Sequence, residues 1–119
     1  MSIKRILILF LAAAALLGLA ACSASAPAAL KVEVKARDIA FDVTTIEAKV
    51  GQPVELTYEN IGALEHNFVI EDFNVNETVK PGETLTFSFV ADEAGAFDYK
   101  CNVPGHTEAG MVGTLVVKP

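Results

Sequence analysis

From Leu30 onward, apolar and polar residues alternate at period two along most of the chain. Val32 and Val34 alternate with Lys31, Glu33 and Lys35, and Ile46, Ala48 and Val50 alternate with Thr45, Glu47 and Lys49. Val54, Leu56 and Tyr58 alternate with Glu55, Thr57 and Glu59, and Leu85, Phe87 and Phe89 with Thr84, Thr86 and Ser88. This period puts successive side chains on opposite faces of a strand, one toward a core and one toward water. Turn residues punctuate the runs at Gly51-Gln52-Pro53, Asn60-Ile61-Gly62, Pro81-Gly82 and Asp92 to Gly95. Many short strands with regular turns predict an all-β antiparallel sandwich. No long run carries a helical period. Glu71 to Val79 is the least patterned segment, read as a loop or one short helical turn. Its Asn76-Glu77-Thr78 fits a glycosylation sequon, an accidental match if the leader is bacterial.

Two further alternating segments carry chemistry. His66, Phe68 and Ile70 are expected on a core face, opposite Asn67, Val69 and Glu71. Phe97, Tyr99 and Cys101 share another inward face, opposite Asp98 and Lys100. Cys101 opens the run YKCNVPGHTEAGMVGT, in which His106 and Met111 follow at intervals of five. Pro104, Gly105 and Gly110 shape a turn between two strands. Taken singly, a cysteine in an apolar strand is usually a small core hydrophobe, a methionine core filler and a histidine a surface or hydrogen-bonding group. Together they form a thiolate, imidazole and thioether set, which suits copper. His66 is the only other histidine; it would complete a His₂Cys site with a weak axial Met, the ligand set of blue-copper electron-transfer centres. Zinc also takes Cys and His, but structural zinc sites need more of them than remain here, and thioether is a poor zinc ligand.

The residues before Leu30 read differently. Met1 to Ala21 has Lys4 and Arg5 ahead of an apolar run that ends in small residues, the layout of a signal peptide. The run is short for a membrane span and has no basic flank on its far side. Leu19-Ala20-Ala21-Cys22 resembles a bacterial lipobox, so Cys22 is the expected lipidation site and mature N-terminus. Two or three acyl chains there would anchor the protein stably. Residues 22–29 read as a lipidated end and flexible tether, whose last seven residues would reach about 25 Å if fully extended. Residues 30–119 form the single expected domain. A disulfide from Cys22 to Cys101 would join the leader-proximal end to a core strand and is not expected.

Charge narrows the partners. The chain carries 9 basic and 15 acidic residues. Removing the leader removes Lys4 and Arg5, which leaves 7 against 15, or net −8. The acidity argues against a nucleic-acid partner, whose phosphates such a surface would repel. The acidity suits solubility, and docking on a basic partner; dispersed along the chain, it also describes an ordinary solvated surface.

The run C-N-V-P-G-H-T-E-A-G-M-V-G-T-L, with His66-Asn67 upstream, resembles the cupredoxins, the small blue-copper proteins that include plastocyanin and azurin. Its C-x4-H-x4-M spacing is that of the auracyanin type, and the likeness extends from Leu30 to the end. The resemblance implies a Greek-key β-sandwich holding one type 1 copper through His66, Cys101, His106 and Met111. It implies that Asn67 ties the His66 strand to the Cys101 loop and donates to the sulfur. Glu65 stands where azurin has a glycine whose carbonyl offers a second axial contact, so that contact is not expected. The implied function is single-electron transfer between extracytoplasmic redox proteins, cytochromes among the candidates, by a membrane-anchored monomeric lipoprotein rather than an enzyme. The alternative is copper delivery, storage or resistance; a non-redox adhesion or scaffold sandwich is disfavoured by the intact ligand set. A second loop cysteine, needed for a dinuclear oxidase-type site, is missing, and two histidines are too few for a multicopper cluster.

Overall fold

The computed structural model describes residues 25–119. The expected signal peptide and lipidated Cys22 lie outside the described residues. Nine strands run in chain order: β1 (Leu30–Arg37), β2 (Ala40–Phe41), β3 (Thr45–Lys49), β4 (Gln52–Asn60), β5 (His66–Ile70), β6 (Val75–Val79), β7 (Thr84–Ala91), β8 (Gly95–Lys100) and β9 (Val112–Lys118). They form two sheets, ordered β2-β1-β4-β7 and β3-β9-β8-β5-β6. The cores of β3 and β4 follow the sequence pattern: Ile46, Ala48, Val54, Leu56 and Tyr58 are buried. On β7, Leu85, Phe87 and Phe89 are only half-buried, because this strand closes one edge of its sheet.

Three expectations are corrected. The sheets are mixed rather than antiparallel throughout: β1 runs parallel to β4, with Leu30 opposite Val54, and β3 runs parallel to β9, with Thr45 opposite Thr114. Parallel partners need a long crossover, supplied when the chain leaves β1 for β2 and β3 before returning in β4. The second correction concerns β5, buried at every position rather than on alternate ones. It pairs with β6 on one side and β8 on the other, and Asn67 on the face read as outward is covered by hydrogen bonds to Asn102. The third concerns the Glu71–Val79 segment: its short helical turn is present at Glu71–Phe73, but a full strand, β6, follows it.

The segment just before the first strand makes a contact with the domain two residues ahead of Leu30. Gln52 Nε2 donates to the Ala28 carbonyl at 2.9 Å, so the chain is fixed to the domain from that point. Between the sheets an aromatic cluster sits beside Cys101: Tyr99 stacks on Phe68 at 4.8 Å, and the edge of Phe41 meets Tyr99 at 5.3 Å.

Candidate metal centre

Cys101 follows the last residue of β8, and Val112 opens β9, so the segment between them is held at both ends by an antiparallel strand pair. Inside it the backbone folds on itself. His106 N–H donates to Val103 O (2.9 Å), Gly110 N–H to Thr107 O (2.9 Å), and Met111 N–H to His106 O (3.0 Å). The segment is closed by Cys101 N–H donating to Met111 O at 3.0 Å, and by Thr107 Oγ1 donating to Cys101 O at 2.7 Å. Gly105 and Gly110 take positive φ at these reversals, +86° and +96°, a region that costs glycine little. Cys101, His106 and Met111 are thus positioned by one hydrogen-bonded unit.

His66 comes from the other strand pair. It begins β5, and the segment leading into it is clamped by the buried Asn60 side chain. Asn60 donates to Leu64 O (2.7 Å) and Val79 O (3.0 Å), while its Oδ1 accepts Gly62 N–H (3.0 Å). With this entry fixed, His66 Nδ1 lies 3.2 Å from His106 Nδ1 and 3.9 Å from Cys101 Sγ, and the sulfur is 3.4 Å from His106 Nδ1. One ligand atom of each of the three lies within 4.8 Å of the others. Cys101, His66 and Met111 are fully buried, and His106 is 7% exposed. Met111 is tied by its backbone to both Cys101 and His106.

The outer edge of His66 faces a carboxylate. Its Nε2 is 3.3 Å from Asp38 Oδ1, and because a carboxylate only accepts, the proton belongs on Nε2 and the lone pair on Nδ1. Burial pushes His66 below its ordinary pKa, against the opposing pull of Asp38; the imidazole is neutral at neutral pH. Asp38 is held below the usual carboxylate range, chiefly by the Ala63 backbone N–H. The Asn67 backbone N–H donates to Cys101 Sγ at 3.4 Å. The Asn67 side-chain amide bonds Asn102, its Oδ1 accepting Asn102 N–H at 2.8 Å and its Nδ2 donating to Asn102 Oδ1.

These donors fit a soft transition metal. Two imidazole nitrogens and a thiol converge in a dry space, where proton sharing links them in the metal-free protein and a cation could take the place of those protons. A thiolate with imidazoles and a thioether selects copper. The structure brings His66, Cys101 and His106 together and ties Met111 to the same loop through its backbone; sequence reasoning passed over Asp38, Asn60 and Thr107. Asp38 sits in the turn after β1, 28 positions before His66, and nothing in the neighbouring sequence marks it.

Comparison with known proteins places this geometry. Residues 7–117 match the cupredoxin-like domain. The chain belongs to the cupredoxin-like family. Among curated proteins it is 31% identical over 98 residues to the copper-resistant cuproprotein CopI of Rubrivivax gelatinosus, covering 66% of this chain and 59% of CopI. It is 29% identical over 126 residues to auracyanin-A of Chloroflexus aurantiacus, covering 80% of this chain and 77% of auracyanin-A. The chain therefore spans less than two thirds of CopI. The reduced auracyanin of Roseiflexus castenholzii shares the fold, with a TM-score of 0.69 at 23% identity, covering 78% of this chain and all of that one.

Proposed function

We propose that this cupredoxin-like chain is a blue type 1 copper protein that carries single electrons between extracytoplasmic redox proteins. The observation that carries the reading is the convergence of His66 Nδ1, Cys101 Sγ and His106 Nδ1, fixed from two separate strand pairs. Copper held there supplies a one-electron couple between its cupric and cuprous states. His66, Cys101 and His106 would hold it through imidazole nitrogen and thiolate, and Met111 would add a weak thioether donor. All four donors come from the protein, so no position is left open for a substrate, and the chain acts as a carrier rather than an enzyme. The strand pairs and the self-bonded loop hold the donors in place, and their burial excludes water. Asn67 tempers the sulfur through its backbone N–H and locks β5 to the loop through Asn102.

His106 is the surface-facing ligand: it is 7% exposed where His66 is fully buried. Val103, Pro104, Ala109 and Val112 flank His106 in sequence and are partly or fully exposed, Val112 by 43%, and we take them as its apolar rim. We assign electron entry and exit to this rim. In the same reading the protein is a monomer held at the outer side of a membrane by acyl chains on Cys22, with basic redox proteins as partners.

The likeness to CopI, whose name denotes copper resistance, favours a second reading in which copper itself is the cargo. One set of experiments separates them. Copper(II)-loaded protein should be intensely blue, and Cys101→Ser should remove the colour; a colourless protein that prefers zinc refutes the site. Stopped-flow kinetics should then show fast electron self-exchange and slow copper loss to a chelator in both oxidation states. An acidic residue at Val103 or Val112 should slow exchange and leave the spectrum nearly unchanged. Rapid copper(I) transfer to an acceptor, with sluggish exchange, would establish the cargo reading.

A further inference from the structure

Asp38 lies on the turn between β1 and β2, in the opposite sheet from His66, yet its carboxylate reaches the imidazole. Three features bring it there. Ala63 N–H donates to both carboxylate oxygens, at 3.0 and 2.9 Å, and Leu64 N–H donates to Oδ1 at 3.3 Å. Gly62 makes the approach possible: a Cβ on Gly62 would overlap Asp38 Oδ1 and stand 2.9 Å from its Cγ. His66 then meets Oδ1 at 3.3 Å through Nε2, the nitrogen pointing away from Cys101 and His106. The carboxylate is 40% exposed while the imidazole is fully buried, so Asp38 is a hydrated anion touching the hidden side of the ligand.

We propose that Asp38 is a positioning residue for His66, and that it tunes the redox couple through its charge. The proposal rests on the copper reading above for the couple, but not for the tautomer. By accepting the Nε2 proton, Asp38 leaves the Nδ1 lone pair free toward the other donors and fixes the ring plane. A hydrogen-bonded carboxylate also raises the basicity of the imidazole it faces. Its negative charge stabilises the cupric state, which carries one more positive charge, over the cuprous state. The reduction potential is lower with Asp38 than without it. Asp38 also anchors the 61–65 segment through Ala63 and Leu64, and a purely structural role would end there.

The test uses readouts that such an anchoring role leaves unmoved. In metal-free protein at pH 8, ¹⁵N chemical shifts should show His66 as the Nε2–H tautomer, with a proton that exchanges slowly with solvent. Asp38→Ala should mix the tautomers, speed that exchange and weaken copper binding about 10- to 100-fold, the usual loss for such an outer partner. Asp38→Asn keeps an oxygen at the Oδ1 position for Ala63, Leu64 and His66, removes the charge, and gives up only the second Ala63 contact at Oδ2. It should keep most of the affinity and the blue spectrum, and raise the midpoint potential measured by voltammetry. An Nδ1–H tautomer in the parent protein would overturn the positioning role. So would an Asp38→Ala protein unchanged in tautomer and affinity. A midpoint potential in Asp38→Asn equal to or below the parent's would overturn the tuning role, and this variant decides if Asp38→Ala fails to fold. A protein that takes up no copper would refute the proposed function, while the metal-free tautomer would still judge Asp38.

Discussion

Replacing Gly113 by alanine sets two opposite effects against each other, and the structure says which wins. Gly113 lies on β9 directly opposite Tyr99 on β8. In a strand interior, alanine ordinarily favours folding over glycine by about 0.5–1 kcal/mol, because glycine loses more backbone freedom. Here, however, a Cβ would fall inside the ring of Tyr99, overlapping Cζ, Cε2 and the hydroxyl oxygen. The ring cannot move cheaply. It is fully buried, stacks on Phe68, meets the edge of Phe41, and donates its hydroxyl proton to Val43 O at 2.6 Å. Overpacking of this kind costs about 1–3 kcal/mol. Displacing the hydroxyl loses a hydrogen bond of about 0.5–1.5 kcal/mol, and a disturbed aromatic pair adds about 0.5–1.5 kcal/mol. After the intrinsic gain is subtracted, Gly113→Ala should destabilise the domain by about 1–5.5 kcal/mol. In a domain of this size each kcal/mol lowers Tm by about 4–8 °C. Urea and thermal unfolding of metal-free protein would measure it, since bound metal would add its own stabilisation. A double-mutant cycle isolates the cause. In a Tyr99→Leu background the same Gly113→Ala change should cost less than about 1 kcal/mol, because the ring it strikes is gone. An equal penalty in both backgrounds, or a gain in the parent, refutes the reasoning.

Met111→Leu should keep copper and raise the reduction potential, since removing an axial donor destabilises copper(II) more than copper(I); Met111→Gln should lower it. Voltammetry showing no shift in either variant would remove Met111 from the ligand set. Asn60→Ala should destabilise the fold by about 2–4 kcal/mol, because the buried side chain makes three hydrogen bonds and leaves Leu64 O, Val79 O and Gly62 N–H without it; denaturant unfolding checks this, and a loss below about 1 kcal/mol would contradict the clamp. Native protein should fractionate with membranes and Cys22→Ser should not be lipidated; mass spectrometry finding an unmodified N-terminal residue on the native protein would refute the anchor.

The sequence by itself determined most of the strands and pointed to all four proposed ligands. Alternation at period two is a local signal, and Val54, Leu56 and Tyr58 face the core as their spacing requires. Cys101, His106 and Met111 fall within eleven residues, so their grouping is already local, and His66 followed as the one remaining histidine. Strand direction was not legible, since period two is the same for parallel and antiparallel partners; only the fold set β1 beside β4 and β3 beside β9 in parallel. Burial on both faces of β5 was not legible either. Asn67 reads as an outward polar residue until Asn102, 35 positions later, covers it. Asp38, Asn60 and Thr107 are ordinary turn and strand residues by type. What each does depends on a partner its neighbours in sequence do not reveal: the His66 imidazole, the Leu64 and Val79 carbonyls, and the Cys101 carbonyl. The chain spells out its ligands because copper chemistry demands rare residue types close together. It leaves their supports unmarked because a hydrogen bond can be made by common side chains, and only the tertiary structure decides which of them arrive within 3 Å.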